Sequence, residues 1–137
     1  MQREFLVATR SLGPALDALE AALRGERVPD ETVLELRLVA EEVLTNVAKH
    51  GHDDGAEHTA RLRLEFASGE VVLEFTDDGR PFDPLAAATP DLDSPSGERS
   101  MGGLGIHLMR SLVDAVEYAR VGSTNVLTVR KRVAANA

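Results

Sequence analysis

The chain has no cysteine and no tryptophan, and one tyrosine with four phenylalanines brings its aromatics to only 4% of 137 residues. Without cysteine there is no disulfide, no thiolate zinc site and no cysteine nucleophile. With so few aromatics, any core must be built from Leu, Val and Ala. No apolar run approaches the ~18 residues of a membrane span. The opening stretch MQREFLVATRSL does not read as a signal peptide, because its short apolar run ends at Thr9 and Arg10. Basic charge is also scarce: 15 Lys and Arg stand against 23 Asp and Glu, a net charge of −8. That balance argues against nucleic-acid and membrane-surface partners. It leaves room for a nucleotide ligand, since a local site can oppose the global sign. Together these features predict a soluble, cytoplasmic protein.

Hydrophobic residues make up 43% of the chain, too many for a disordered polypeptide. At ~150 residues per domain, the length predicts one domain over residues 1–137. Residues 3–9 (REFLVAT) suit a strand. Ser11 is placed to cap a helix with Pro14 in its first turn, and Leu12, Leu16, Leu19 and Leu23 recur at helical spacing up to Gly25. Pro29, Asp30 and Glu31 open a second helix that runs to His50 before Gly51. ARLRLEF and EVVLEFTDD alternate around Ser68-Gly69 and read as a hairpin. Residues 79–103 lose all periodicity and carry Pro81, Pro84, Pro90 and Pro95, the mark of a binding loop or lid. A helix resumes over 104–112, and a last strand pair flanks Gly122-Ser123. Strands arriving as hairpins with helices grouped between them predict an α+β fold, with a mixed, mostly antiparallel sheet and helices on one face.

Three segments carry chemistry. On the helix 31–50, Leu36, Val39, Ala40, Val43 and Val47 form the core stripe. Glu35, Glu42, Asn46 and Lys49 form a second stripe beside it. A carboxylate, an amide and an ammonium on one edge suit a magnesium–polyphosphate site, although a solvated helix face reads the same way. DDGRPFD (77–83) follows a strand. It is either a simple turn or an acceptor for a base amine, with Gly79 permitting close approach. GGLGI (102–106) runs into a helix, where free backbone N–H groups and the helix dipole suit an anion. His52, His58 and His107 show no metal-ligand spacing, and Arg130-Lys131-Arg132 reads as a solvated strand end.

In that order, EEVLTNVAKHGH, DDGRPFD and GGLGI resemble the N box and the two glycine boxes of the Bergerat-fold (GHKL) ATP-binding superfamily. The likeness covers about residues 3–132 and is strongest to its small anti-sigma-factor serine/threonine kinases. The resemblance implies a two-layer α/β sandwich with a lid over about 80–103, and ATP and Mg²⁺ as cofactors. By motif position, Glu42 matches the general base and Asn46 the metal ligand. Asp77 matches the acceptor of the adenine amine, with Gly79 beside the base. Gly102, Gly103, Leu104 and Gly105 match the phosphate-contacting turn, Lys49 and His50 further phosphate contacts, and Thr128 a threonine near adenine. Pro81 stands where gyrase-type members have glycine, a feature the anti-sigma kinases often share. The implied partners are a STAS-type anti-sigma-factor antagonist, which would be phosphorylated, and a sigma factor or other target, which would be sequestered. A homodimer is also implied. The alternative is a nucleotide-binding module that sequesters a partner without phosphoryl transfer.

Overall fold

The structure is a computed structural model that describes residues 1–52, 54, 56–85 and 101–133, the side chains of 101–106 excepted. Alternating apolar residues build five strands: β1 (Gln2–Ala8), β2 (Thr59–Ala67), β3 (Glu70–Asp77), β4 (Ala115–Val121) and β5 (Thr124–Arg132). They form one sheet in the order β1-β2-β3-β5-β4. Among the described residues all four pairings are antiparallel, so the sheet they form is not mixed. The hairpin between β2 and β3 turns on Ser68 and Gly69, both at positive φ (54° and 75°). That is the primed turn whose twist matches paired strands.

Period two sorts each strand into two faces. Leu62 and Leu64 of β2, Val71, Leu73 and Phe75 of β3, and Leu127 and Val129 of β5 are buried on one face. Cross-strand register sets Leu64 beside Leu73 and Leu73 beside Val129. The other face carries Arg63, Glu65, Glu74, Thr128 and Arg130 around an open concavity of about 300 Å³. Its ion pairs, such as Arg63–Glu65 at 3.0 Å, are exposed and contribute ~0–1 kcal/mol each.

Three helices cover the apolar face: α1 (Gly13–Gly25), α2 (Asp30–His50) and α3 (Met101–Leu112). Leu16, Leu19 and Leu23 of α1 and Val33, Leu36, Val39, Ala40, Val43 and Leu44 of α2 complete one core with the sheet. Several expected boundaries move. Ser11 does not cap α1: its N–H donates to the Ala8 carbonyl, and Leu12 takes the cap position without a side-chain bond. Gly25 is the last residue of α1, and the chain leaves the helix through Arg27 at φ 61°. Helix α3 begins at Met101, three residues before the expected start. The last strand pair starts at Ala115, two residues into the segment VDAVEYARV that the pattern assigns to its first strand. Among the described residues no helix is long and apolar enough to cross a membrane.

Lys131 corrects the reading of the basic run as a solvated strand end. Alternation puts it on the face of Leu127 and Val129. There its ammonium donates to the Leu112 carbonyl and lies 4.0 Å from Glu35. It thereby caps the C-terminus of α3, where a cation complements the helix dipole.

Leu73 is fully buried in the middle strand, between Leu64 and Val129. Leu73→Ala is expected to cost ~2–5 kcal/mol in denaturant unfolding. Thr128→Ala, on the open face, is expected to stay within ~0.5 kcal/mol.

Candidate functional site

The site lies where the C-terminal half of α2 meets the end of β3. Asp77 continues the alternation of Val71, Leu73 and Phe75, so it points toward the helices at the rim of the core. Its partner across the ladder is Asn125 of β5. Asn125 is buried, with only 6% of its surface exposed, in phase with the buried Leu127 and Val129. Its amide group donates to Asp77 Oδ2 (3.2 Å), to the Arg80 carbonyl (2.8 Å) and, more weakly, to the Gly79 carbonyl (3.5 Å). Its oxygen accepts from the Tyr118 hydroxyl and the Phe82 N–H. Asp77 Oδ2 also accepts from the Gly79 N–H at 2.9 Å. Among the described residues this leaves Asp77 Oδ1 free to accept from a ligand.

Gly79 is needed for packing. A methyl group there would lie 2.5 Å from Gly51 Cα and 2.7 Å from the Gly51 carbonyl oxygen. Gly51 is not a left-handed helix terminator, since its φ is −68°. It must be small because a methyl group on it would meet the Val47 carbonyl at 2.7 Å. The Arg80 N–H donates to the Gly51 carbonyl at 2.8 Å and closes the contact. Arg120 donates to the Gly79 carbonyl at 2.7 Å from the far strand.

On α2, Asn46 is buried (5% exposed) and its amide donates to Glu42 Oε1 at 3.4 Å, one turn earlier. Burial raises the Glu42 carboxyl above its ordinary range, with the Asn46 hydrogen bond and the Lys49 charge partly opposing. Glu42 borders a small apolar cleft formed with Leu38, Leu108, Met109 and Leu112, between α2 and α3. Lys49 and His50 are exposed, and the His50 ring stacks on Phe82 with centroids 4.5 Å apart. Gly102 and Gly103 fall in the first turn of α3, where backbone N–H groups have no intrahelical acceptor. Leu104 and Gly105 follow, where the i→i−4 ladder begins. Most of the expected lid, residues 86–100, lies outside the described residues.

Asn46, Asp77 and Asn125 line one cavity with Phe82, Met109 and Tyr118. It measures about 30 Å³, because Phe82 and Pro84 narrow it. Thr128 is not part of it. Asn125, Leu127 and Val129 face the helices, so alternation turns Thr128 to the charged face among Arg63, Glu74 and Arg130. The residues that sequence reading missed are Gly51, Tyr118 and Asn125. A polar residue in phase with Leu127 and Val129 was the available signal for Asn125.

Among the described residues an antiparallel sheet is thus covered on one face by three helices, and the carboxylate at the end of β3 shares a cavity with Asn46 of α2. Over residues 5–131 the chain matches the histidine kinase-like ATPase domain, and it belongs to that family. It is 31% identical to the serine/threonine-protein kinase BtrW of Bordetella bronchiseptica, across 92% of this chain and 89% of the relative. It is 26% identical to an anti-sigma F factor of Clostridium botulinum, across 96% and 93% respectively. It also superposes on the RsbU and RsbW domains of a Mycobacterium tuberculosis protein with a TM-score of 0.63 at 13% identity. That match covers 97% of this chain and about a third (32%) of the larger one, and it is a likeness of fold.

Gly79→Ala is expected to cost about 1–3 kcal/mol or more, because the two nearest atoms it would meet are backbone atoms of Gly51. Gly13→Ala has nothing within 4 Å and is expected to be neutral or stabilising by ~0.5–1 kcal/mol. Denaturant midpoints of the two variants check both.

Proposed function

We propose that this protein is an ATP-dependent serine/threonine kinase that also acts as an anti-sigma factor in a partner-switching system. The observation that carries the reading is the cavity between α2 and β3, which collects Asn46, Asp77 and Asn125 beside the Glu42 carboxylate. Asp77 Oδ1 receives the exocyclic amine of adenine, while Gly79 and Asn125 hold the carboxylate still. At about 30 Å³ the cavity has room for a water and not for a purine. Phe82 and Pro84 must therefore swing outward as the base enters, and residues 80–103 form the lid that follows.

Asn46 fits a magnesium ion: its amide oxygen takes no hydrogen bond from the described residues, and amide oxygens suit this hard cation. Bound Mg²⁺ supplies neutralisation of charge on the phosphates. The free N–H groups of Gly102 and Gly103, in the turn that also holds Leu104 and Gly105, bind phosphate oxygens, with Lys49 and His50 able to reach the same region. Glu42 accepts the proton of an incoming serine or threonine hydroxyl. Its raised carboxyl is a better base than an ordinary glutamate once ionised.

The protein substrate is a STAS-type anti-sigma-factor antagonist, and the sequestered target is a sigma factor. The names of BtrW and of the anti-sigma F factor support the two halves of this reading. A phosphate on the antagonist adds about two negative charges. Against a kinase of net charge −8 this favours release, in a salt-dependent way. The protein acts in the cytoplasm and as a homodimer.

Glu42→Gln is expected to lower transfer to the antagonist by ~10²–10⁴ while ATP binding survives. In the parent protein transfer should fall as pH drops through the raised Glu42 pKa, and the variant should lose that limb. Stability should move the other way. A carboxyl raised on folding stabilises below its unfolded pKa, and this is lost as pH rises through the folded value. At neutral pH Glu42→Gln should therefore not lower Tm. Unchanged transfer in the variant would remove Glu42 from the mechanism.

Because the chain has no tryptophan, Phe82→Trp provides a single reporter at the mouth of the cavity. Its emission is expected to change saturably with ATP. Adding Asp77→Asn should abolish that response at the same nucleotide concentrations. An ATP response that persists in the double variant would show that the base lies elsewhere.

A further inference from the structure

The loop that joins α2 to β2 gathers three metal-ligating side chains outside the nucleotide cavity. Ligand atoms of His52, Asp54 and His58 all lie within 4.8 Å of one another. His58 Nε2 is 2.9 Å from Asp54 Oδ1, and the two imidazole rings stack with centroids 3.5 Å apart. Both histidines are held by regular structure. His52 directly follows Gly51, which is locked against Gly79. His58 directly precedes β2, and its N–H donates to Thr9 Oγ1 at 2.9 Å while its carbonyl accepts from the Thr9 N–H. Each side chain is about three-quarters buried (26% exposed). Asp78 stands 3.2 Å from His52 Nε2.

From this cluster we propose a zinc site, formed by His52, Asp54 and His58 with a fourth position open to solvent. Two neutral imidazoles and one carboxylate suit a borderline-soft ion and disfavour Mg²⁺ or Ca²⁺, which prefer oxygen donors. With metal–ligand bonds of ~2.0–2.1 Å, tetrahedral ligand atoms sit about 3.4 Å apart. Binding therefore draws the ligand atoms together and turns the two stacked rings out of parallel, because a metal lies in the plane of each imidazole it binds. Asp78 is the carboxylate partner that metal-bound histidines use to fix ring orientation. The ion ties the end of α2 to the start of β2. Through Asp78 it also reaches the residue next to Asp77, so it braces the frame of the nucleotide cavity.

The test is calorimetric titration of tag-free, metal-free protein with zinc chloride, without nucleotide. One equivalent is expected to bind, to raise Tm, and to resist excess Mg²⁺. His52→Gln and His58→Gln are each expected to weaken binding by more than the ~10–100-fold typical of losing a supporting partner, and Asp78→Asn by ~10-fold. Asp54→Asn, at an exposed position, serves if either histidine variant fails to fold. Asn46→Ala should leave zinc affinity unchanged, which keeps this site separate from the nucleotide reading. No stoichiometric binding, or affinity untouched by the His52, His58 and Asp54 variants, would overturn the proposal. So would loss of zinc in Asn46→Ala.

Discussion

Two backbones touch at Gly51 and Gly79, and the geometry of the site follows from that contact. Neither position can carry even a methyl group, since the nearest neighbours are main-chain atoms at 2.5–2.7 Å. The end of α2 is thereby pressed against the exit of β3, with the Arg80 N–H bonded to the Gly51 carbonyl. Glu42 and Asn46 lie further back along the same helix, and Asp77 lies two residues before Gly79 on the strand. The distance between the pair on the helix and the carboxylate on the strand is therefore set by main-chain contact. Such a contact cannot drift as long side chains do.

A second constraint is polar. Asn125 occupies a position that alternation reserves for an apolar residue, and it is buried. Its cost is offset because both ends of its amide are engaged, by Tyr118 and Phe82 on one side and by Asp77 and Arg80 on the other. A fully satisfied network of this kind rigidifies its members. Here it orients Asp77 and anchors the first residues of the following loop. The same loop narrows the cavity through Phe82 and Pro84. One end of the segment is thus fixed while its next residues guard the entrance.

Helix α2 has three roles along its length. One stripe packs on the sheet, a second presents Glu42 and Asn46, and its far end leads into the His52–Asp54–His58 loop. Burial acts on the polar groups of that second stripe. It raises the carboxyl of Glu42, whereas the exposed Lys49 lowers it from outside. The helix edge is therefore more than a solvated face of i,i+4 pairs.

Much of this was readable in the linear pattern. Strand alternation predicts the faces of β2, β3 and β5, and helical spacing predicts the core stripe of α2. The order of ExxxN, DxG and GGLG predicts which segments meet. Local rules failed where a long-range neighbour prevailed. Ser11 pairs with Ala8 instead of capping, Gly79 is small because it packs on Gly51, and Lys131 reaches α3 rather than solvent. Thr128 lies on the charged face because its phase opposes that of Leu127 and Val129, so motif likeness placed it on the wrong side of the sheet. His52 and His58 sit six residues apart, a spacing that says little until the loop folds back and stacks the rings. Periodicity and motif order are local properties of the chain, and they settled the element types and the buried faces. Contacts between backbones and between loops distant in sequence depend on how layers pack. Packing alone set the Gly51–Gly79 approach, the Asn125 hub, the narrow cavity and the histidine cluster.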